Sequence, residues 1–521
     1  MSETLQLEPK MPPVQKESVS RRFFSNTMAN YAGQGFILVL TFVTAPYTVH
    51  HLGPELFGIL ALVQVTAGFA GLLNLGIGRA LTKYVSELYW KGDLAEINRL
   101  FQTAWATCTM AGFVGLLILV GPRETIGKLF FRGGPETSGV VGFAIYVAAI
   151  GLFTSMLLEA VSGLPSALQR FDIFNSVNVV VGTVRAVGPV VVLAMGYSIR
   201  AVLVVILGSN ILAVVAFAVV SRNLIPGLNL VPKFSVSAFK KLFSFSLPLL
   251  LSALFALIVA RVDRFILAFY MPLAAVTFYT LPYSISEKAA IGVGNITSVV
   301  FPFTSELHSM GAHDKVHELY LRSTKILMLV TMPITAVLLA VSGPILRYWL
   351  GPEYAAQGSL VLMLLAAGTL LNAVTAVPTV TSLGVGEAWM PAAFSFGTSV
   401  LNLAANFLLI PRYGINGAAL AFLLPSVIVA PVFLYVVTRM IHFSMWELVV
   451  QGLLRPSLCA AVQFGFLWIG RRYVTNLIGL AILCALSLGL YGALALFGVI
   501  TQEERIALFR GLPLKFQSAR N

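Results

Sequence analysis

Long uncharged runs set the pattern of this chain. Between charged residues lie the stretches 23–54, 56–78, 100–122, 137–158, 201–221, 242–260, 265–286, 326–346, 354–386, 388–411, 413–438 and 473–502. Most contain the roughly 20 residues with which an α-helix crosses a hydrocarbon core of about 30 Å. Three further spans are interrupted by single charges, one at Arg185, one from about 277 to 301 and one from about 454 to 470. The runs 242–260 and 265–286 overlap the seventh and eighth spans rather than delimiting them. The pattern predicts 14 membrane helices, starting near residues 27, 56, 101, 139, 175, 201, 243, 275, 324, 358, 390, 415, 453 and 476. An even count puts both termini on one side.

The cations between the spans choose that side. With an inside N-terminus, the inner segments hold 21 Lys and Arg, among them Arg21, Arg22, Arg79, Lys83, Lys91, Arg99, Arg222, Lys233, Lys240 and Lys241. The outer segments hold nine: Arg123, Lys128, Arg132, Arg200, Arg264, Arg347, Arg412, Arg471 and Arg472. Positively charged loops stay cytoplasmic, so both termini are expected there. The expected divisions are a disordered tail 1–22, a six-helix lobe 23–222, a linker 223–242, a second six-helix lobe 243–440, helices 13 and 14 within 441–500, and a tail 501–521. The N-terminal residues carry no signal-peptide pattern.

Composition agrees. Hydrophobic residues are 58% and charged residues 11%, against about 25% charged in soluble domains. The net charge of +13 would suit nucleic acid, but its placement in inner loops makes it topological. Cys108, Cys459 and Cys484 lie in apolar stretches and make no disulfide framework.

An internal repeat relates the two lobes. Ser86-Glu87-Leu88 recurs as Ser305-Glu306-Leu307, and Gly92 meets Gly311 at the same offset of 219. Gly134-Pro135-Glu136 matches Gly351-Pro352-Glu353 at 217, and Tyr197-Ser198-Ile199 matches Tyr413-Gly414-Ile415 at 216. The offset superposes helix 1 on helix 7, both crossing outward, so the lobes are parallel repeats. Such repeats are a transporter architecture.

The loop motifs carry a family resemblance. Asn30-Tyr31, Leu52-Gly53-Pro54-Glu55-Leu56-Phe57-Gly58, Leu73-Asn74-Leu75-Gly76-Ile77-Gly78, Lys83-Tyr84 and Ser86-Glu87 resemble the opening of polysaccharide transporters. Phe301-Pro302, Leu350-Gly351-Pro352-Glu353-Tyr354 and Gly414-Ile415-Asn416-Gly417 are similar to later family motifs. These transporters belong to the multidrug/oligosaccharidyl-lipid/polysaccharide flippase superfamily. The resemblance implies an all-α polytopic fold, two six-helix lobes around a central cavity plus two C-terminal helices. It also implies a flippase of the bacterial inner membrane. That flippase would move an undecaprenyl-pyrophosphate-linked oligosaccharide by alternating access, for O-antigen, capsule or exopolysaccharide. A polysaccharide polymerase and a chain-length regulator would be its partners.

Ionisable groups within membrane helices are costly and face a cavity or a partner. The cations Arg185, Lys288, Arg261 and Arg455 are candidates for a pyrophosphate, which Arg binds bidentately and Lys as a point charge. Ion pairing or snorkelling is the competing role. Arg185 and Lys288 lie nearest mid-span, one in each lobe, and are expected to converge on a central anion. Arg261 is expected near the outer end of helix 7. Of the anions, Asp263 is placed for a salt-bridged turn beside Arg264, and Glu287 neighbours Lys288. Glu159 suits either a coupling ion or a structural hydrogen bond. Asn30 and Tyr31, with Gln34, place polar groups on helix 1, for gating or for helix–helix hydrogen bonds.

No cofactor or metal is expected. His308, His313 and His317 lack an HExxH frame and are expected on a solvated face, and His50 and His51 at the interface. No Gly-rich loop followed by Lys-Ser/Thr points to ATP hydrolysis. Competing readings are a multidrug or lipid-II exporter of the same superfamily and a membrane O-antigen polymerase or ligase. The latter would need a large periplasmic loop, whereas the longest here, about 122–138, is short. The chain is therefore read as a transporter rather than an enzyme.

Overall fold

The computed structural model describes residues 19–68, 77–89, 91–130, 135–290 and 292–500, with 502 and 505; side chains at 19–32, 79, 135–138, 245–254, 256–258 and 260 fall outside the described set. Most of both expected tails, and Leu73-Asn74-Leu75-Gly76, therefore lie outside it.

The secondary-structure elements among the described residues are all helices. The N-terminal lobe comprises α1 (Val19–Gly68), α2 (Ile77–Tyr89), α3 (Leu94–Val120), α4 (Arg123–Phe130), α5 (Pro135–Ala167), α6 (Phe171–Ala194) and α7 (Ile199–Leu224). The C-terminal lobe comprises α8 (Val236–Tyr270), α9 (Leu273–Lys288), α10 (Val293–Ser309), α11 (His313–Trp349), α12 (Pro352–Val374), α13 (Ala376–Gly384) and α14 (Trp389–Met440). A single turn Met445–Glu447 and a π-helical stretch Leu448–Leu454 lead into α15 (Arg455–Gly470), and α16 (Leu477–Gly498) closes the fold.

Among the described residues, ten helical segments are long and apolar enough to cross a membrane. Two of the ten are paired spans merged across a bend, at Gly53 in α1 and Gly414 in α14. Adding those two, the 35-residue α8 and the broken pair α9–α10 recovers fourteen crossings. Span 8, expected as one helix over about 277–301, is interrupted between Lys288 and Val293. Span 10 is likewise interrupted at Thr375. The 122–138 loop contains the eight-residue α4. Span 13 begins earlier than expected, at Met445.

Helix starts follow the capping groups. The Asp93 carboxylate accepts from Glu96 N–H at 3.0 Å and opens α3. Asn476 does the same for Gly479 at 2.7 Å and opens α16. Such side-chain acceptors satisfy donors that the helix leaves unpaired.

Turn geometry reproduces the internal repeat. At Gly92, φ is 72°, and at Gly311 it is 68°. The N–H groups of Gly92, Asp93 and Leu94 donate to the carbonyls of Tyr89, Leu88 and Gly92. Those of Gly311, Ala312 and His313 donate to His308, Leu307 and Gly311, the same pattern shifted by 219. The left-handed conformation favours glycine in both turns. A further match was not visible in the residue types. Leu168, Gln169 and Arg170 donate to Leu164, Ser166 and Pro165, while Val385, Gly386 and Glu387 donate to Thr381, Leu383 and Ser382. Here the offset is 217, and the left-handed position is Gln169 in one lobe and Gly386 in the other.

Within the N-terminal lobe, α5 packs on α2, α3 and α7, and α1 packs on α6; in the C-terminal lobe, α12 packs on α11 and α14, and α8 on α14. Helices α15 and α16 attach to α11. The buried Gln463 amide reaches Pro333 O and Ser487 Oγ, both at 3.3 Å, and fastens the pair. The lobes meet through α8, which touches α2, α3 and α4, and through α1 against α9. There Thr277 Oγ1 donates to Pro54 O at 2.6 Å. Gly58 lies so close to the Leu273 carbonyl that no side chain fits between them. Trp349 of α11 stacks on Phe42 at 4.5 Å, rings 3° from parallel, and its Nε1–H donates to Phe42 O at 2.8 Å. At this end, the end carrying Gly53, the lobes are sealed against each other.

Candidate functional site

A cavity of about 420 Å³ opens among α1, α5, α6 and α7, with α8 closing one side. Its ionisable lining residues are Glu159, Arg185 and Arg261. Arg185 projects from α6. Its Nε–H donates to Ser209 Oγ at 3.4 Å, and an Nη2 hydrogen goes to Asn210 Oδ1. A guanidinium carries five N–H groups, and two of them are engaged by these partners among the described residues. Arg261 enters from α8 and lies against Gly68 of α1; a Cβ on that glycine would stand 3.0 Å from Arg261 Cζ. Arg261 is nine residues from the end of α8 at Tyr270, about 13 Å at 1.5 Å per residue. The expected position near the outer end is thus corrected to one well inside the helix. Among the described lining residues, two guanidiniums and one carboxylate make the net charge positive.

The expected convergence of Arg185 with Lys288 is not the one the structure makes. Helix α9 ends at Lys288, which is exposed there and lines neither cavity. The second cation at the cavity is Arg261. Arg455 stands exposed at the start of α15. Glu287 lines a second cavity, of about 390 Å³, inside the C-terminal lobe. Asn30 and Tyr31 lie on α1, with their side chains outside the described set.

Arg264, expected among the outer-loop cations, lies instead inside α8. It is 4% exposed, because α8 continues past it to Tyr270. Its guanidinium lies 3.8 Å from the Asp263 carboxylate and 4.1 Å from the centre of the Tyr283 ring. Tyr279 Oη donates to the other oxygen of Asp263, and the Arg264 N–H donates to the first at 2.8 Å. Asp263 is thereby committed to a buried network within α8, where the sequence suggested a salt-bridged turn. His317, expected on a solvated face, is half-buried, with Nε2 against Ile441 O. Among the described residues, no group of three His, Cys, Asp or Glu is arranged to hold a metal.

Gln64, Ser155 and Asn210 also line the first cavity and escaped the sequence reading. They are uncharged, and a search for charges within spans passes over them. The pair Ser209-Asn210 in the middle of the hydrophobic α7 was the available signal.

The comparisons agree with this architecture. The fold is similar to that of a lipid II flippase, MurJ, in an inward closed conformation: TM-score 0.71 at 15% identity, covering 91% of this chain and 98% of that one. It is also similar to an inward-facing multidrug resistance MATE transporter, with a TM-score of 0.63 at 14% identity over 77% and 94% of the two chains. A Shigella flexneri protein named for O-antigen transport is 22% identical over 80% of this chain and 97% of its own length. A family model for polysaccharide biosynthesis proteins matches residues 51–357, more than half of the sequence, and the chain belongs to that family.

Proposed function

We propose that this multi-pass membrane protein is a flippase that carries an undecaprenyl-pyrophosphate-linked oligosaccharide across the bacterial inner membrane by alternating access. The product would feed O-antigen, capsule or exopolysaccharide assembly. The observation that carries the reading is the meeting of Arg185 and Arg261, from helices of different lobes, at one cavity. A pyrophosphate offers paired anionic oxygens that match two planar guanidinium forks. Motion of one lobe against the other would separate or reorient the two Arg groups and so couple binding to exposure. Family membership and the O-antigen relative support a lipid-linked glycan as cargo. Lys288 and Arg455, both exposed, would contact the substrate outside the cavity, during approach. Glu159, facing the same cavity, is the candidate for the coupling ion.

The sealed end carrying Gly53 is assigned to the periplasm and both termini to the cytoplasm. Reporter fusions after Gly351 and Arg472 should then read periplasmic and fusions after Lys241 and Lys315 cytoplasmic. For function, the gene is deleted in a strain without a second flippase, and radiolabelled sugar lipids are followed. The expected result is loss of one surface polysaccharide with accumulation of its lipid-linked unit. Normal polymer output would overturn the assignment. Lipid II shares the pyrophosphate, so a lipid II exporter is the second reading; arrested peptidoglycan synthesis in the deletion strain would favour it.

A further inference from the structure

The second cavity has a different chemistry from the first. It is bounded by α8, α9, α12, α13 and α14, and its volume of about 390 Å³ lies within the range of small-molecule sites. Aromatic faces supply part of the wall: Phe394 and Phe433 pack at 4.8 Å, and both line the cavity with Tyr283. The polar lining is mostly hydroxyl and amide. Thr398 Oγ1 donates to Phe394 O at 2.8 Å, and Ser399 Oγ donates to main-chain carbonyls. With their hydrogens so engaged, these oxygens present lone pairs to a ligand. Asn372 Oδ1 accepts from Ser426 at 3.0 Å, which orients its amide nitrogen as a donor.

The described lining of this cavity carries one carboxylate and no cation. Among the described residues that carboxylate is Glu287, while Lys288, next in the chain, lies outside the lining. Behind the Tyr283 wall, Arg264 is matched by Asp263. A pyrophosphate gains nothing from such a wall of acceptors beside a carboxylate, whereas a carboxylate accepts hydrogen bonds from ligand hydroxyls. An uncharged ligand with several hydroxyls, able to donate and accept and with apolar C–H faces for the rings, fits all of these features.

The two cavities share α8. Val259 lines the C-terminal one and Arg261 the N-terminal one, and two positions along a helix differ by about 200°. One substrate with a charged and an uncharged end would find its two chemistries on either side of this helix.

We propose that the cavity formed by Phe394, Phe433, Asn372, Thr398 and Glu287 is a carbohydrate subsite, which seats a sugar of the lipid-linked glycan while the pyrophosphate is held at Arg185 and Arg261. The proposal rests on the flippase reading above, and its test separates the two. Full-length protein in lipid nanodiscs is titrated with the host's own lipid-linked oligosaccharide and with bare undecaprenyl pyrophosphate. Phe394→Ala and the shape-conserving Thr398→Val are each expected to weaken the glycosylated lipid about tenfold and to leave the bare lipid unchanged. Arg261→Ala weakens both. Thermal unfolding midpoints of the variants are compared, and Thr398→Val stands in for Phe394→Ala should the latter unfold. If wild-type protein binds both lipids equally and neither variant discriminates, the subsite is overturned while the flippase reading stands. If wild-type protein binds neither lipid, the flippase reading itself fails. If tetraphenylphosphonium binds and Glu287→Gln abolishes it, the cavity is a cation site and the proposal is overturned.

Discussion

Arg261→Ala is the perturbation that tests the cavity most directly. In the folded protein this guanidinium is held against Gly68 at the cavity wall. A hydrogen bond to a charged group contributes about 1.5–3 kcal/mol net. Taking ~2 kcal/mol for loss of the fork, the affinity for undecaprenyl pyrophosphate should fall about thirtyfold, since about 1.4 kcal/mol is a factor of ten. Arg261→Lys keeps the charge without the fork and should fall between wild type and alanine. Gly68→Ala provides an independent approach to the same group. The new Cβ would stand 3.0 Å from Arg261 Cζ and 3.1 Å from Nε and Nη1, so the guanidinium must move. The Gly-to-Ala exchange also narrows the unfolded ensemble, an effect of about 0.4–1 kcal/mol in favour of the folded state. Gly68→Ala should therefore lower transport at undiminished protein abundance, a combination that general destabilisation does not produce. The assay measures three quantities on the same membranes: protein by immunoblot, bound undecaprenyl pyrophosphate, and polymer output. Wild-type affinity and output from Arg261→Ala at normal abundance would refute the cationic-site argument.

Three other perturbations follow from the packing. Asp263→Asn removes the carboxylate 3.8 Å from the buried Arg264 guanidinium, and breaking a buried pair costs about 3–5 kcal/mol; membrane abundance should fall, and the added change Arg264→Met should restore it. Trp349→Ala removes a ring stack and a hydrogen bond from the interlobe seal, together about 1–3 kcal/mol. Spin labels at His51 and Arg347, in a background lacking the three cysteines, should then show a longer and broader distance distribution than in the unmutated seal, and an unchanged distribution would remove Trp349 from it. Gly386→Gln forces a side chain into φ of 93° at a cost of about 1–2 kcal/mol and should lower the unfolding midpoint in detergent. At the equivalent position, Gln169→Gly should shift stability by less than about 1 kcal/mol, because relief of strain offsets the greater freedom of the unfolded chain.

Fourteen spans, two repeated lobes and the family could be read from sequence because each rests on local information. Hydropathy over about 20 residues reports a membrane crossing whatever the helix later touches. Left-handed turns recur as Gly92 and Gly311 because few other residues adopt that conformation. Where a second residue type tolerated the turn, at Gln169, the correspondence with Gly386 emerged only from the hydrogen bonds. The position of each charge was a tertiary matter. Arg264 looks like a loop residue, since a charge ends an apolar run; Asp263, Tyr279 and the Tyr283 ring, drawn together by folding, keep it buried inside a helix. Arg261 and Lys288 look alike as cations within spans. The continuation of α8 to Tyr270 carries Arg261 to the cavity, and the end of α9 leaves Lys288 outside it. Sequence alone determines which segments enter the membrane, because transfer from water depends on composition. The neighbours of each helix decide which charges meet, because burial and pairing are properties of contacts that the chain makes only once folded.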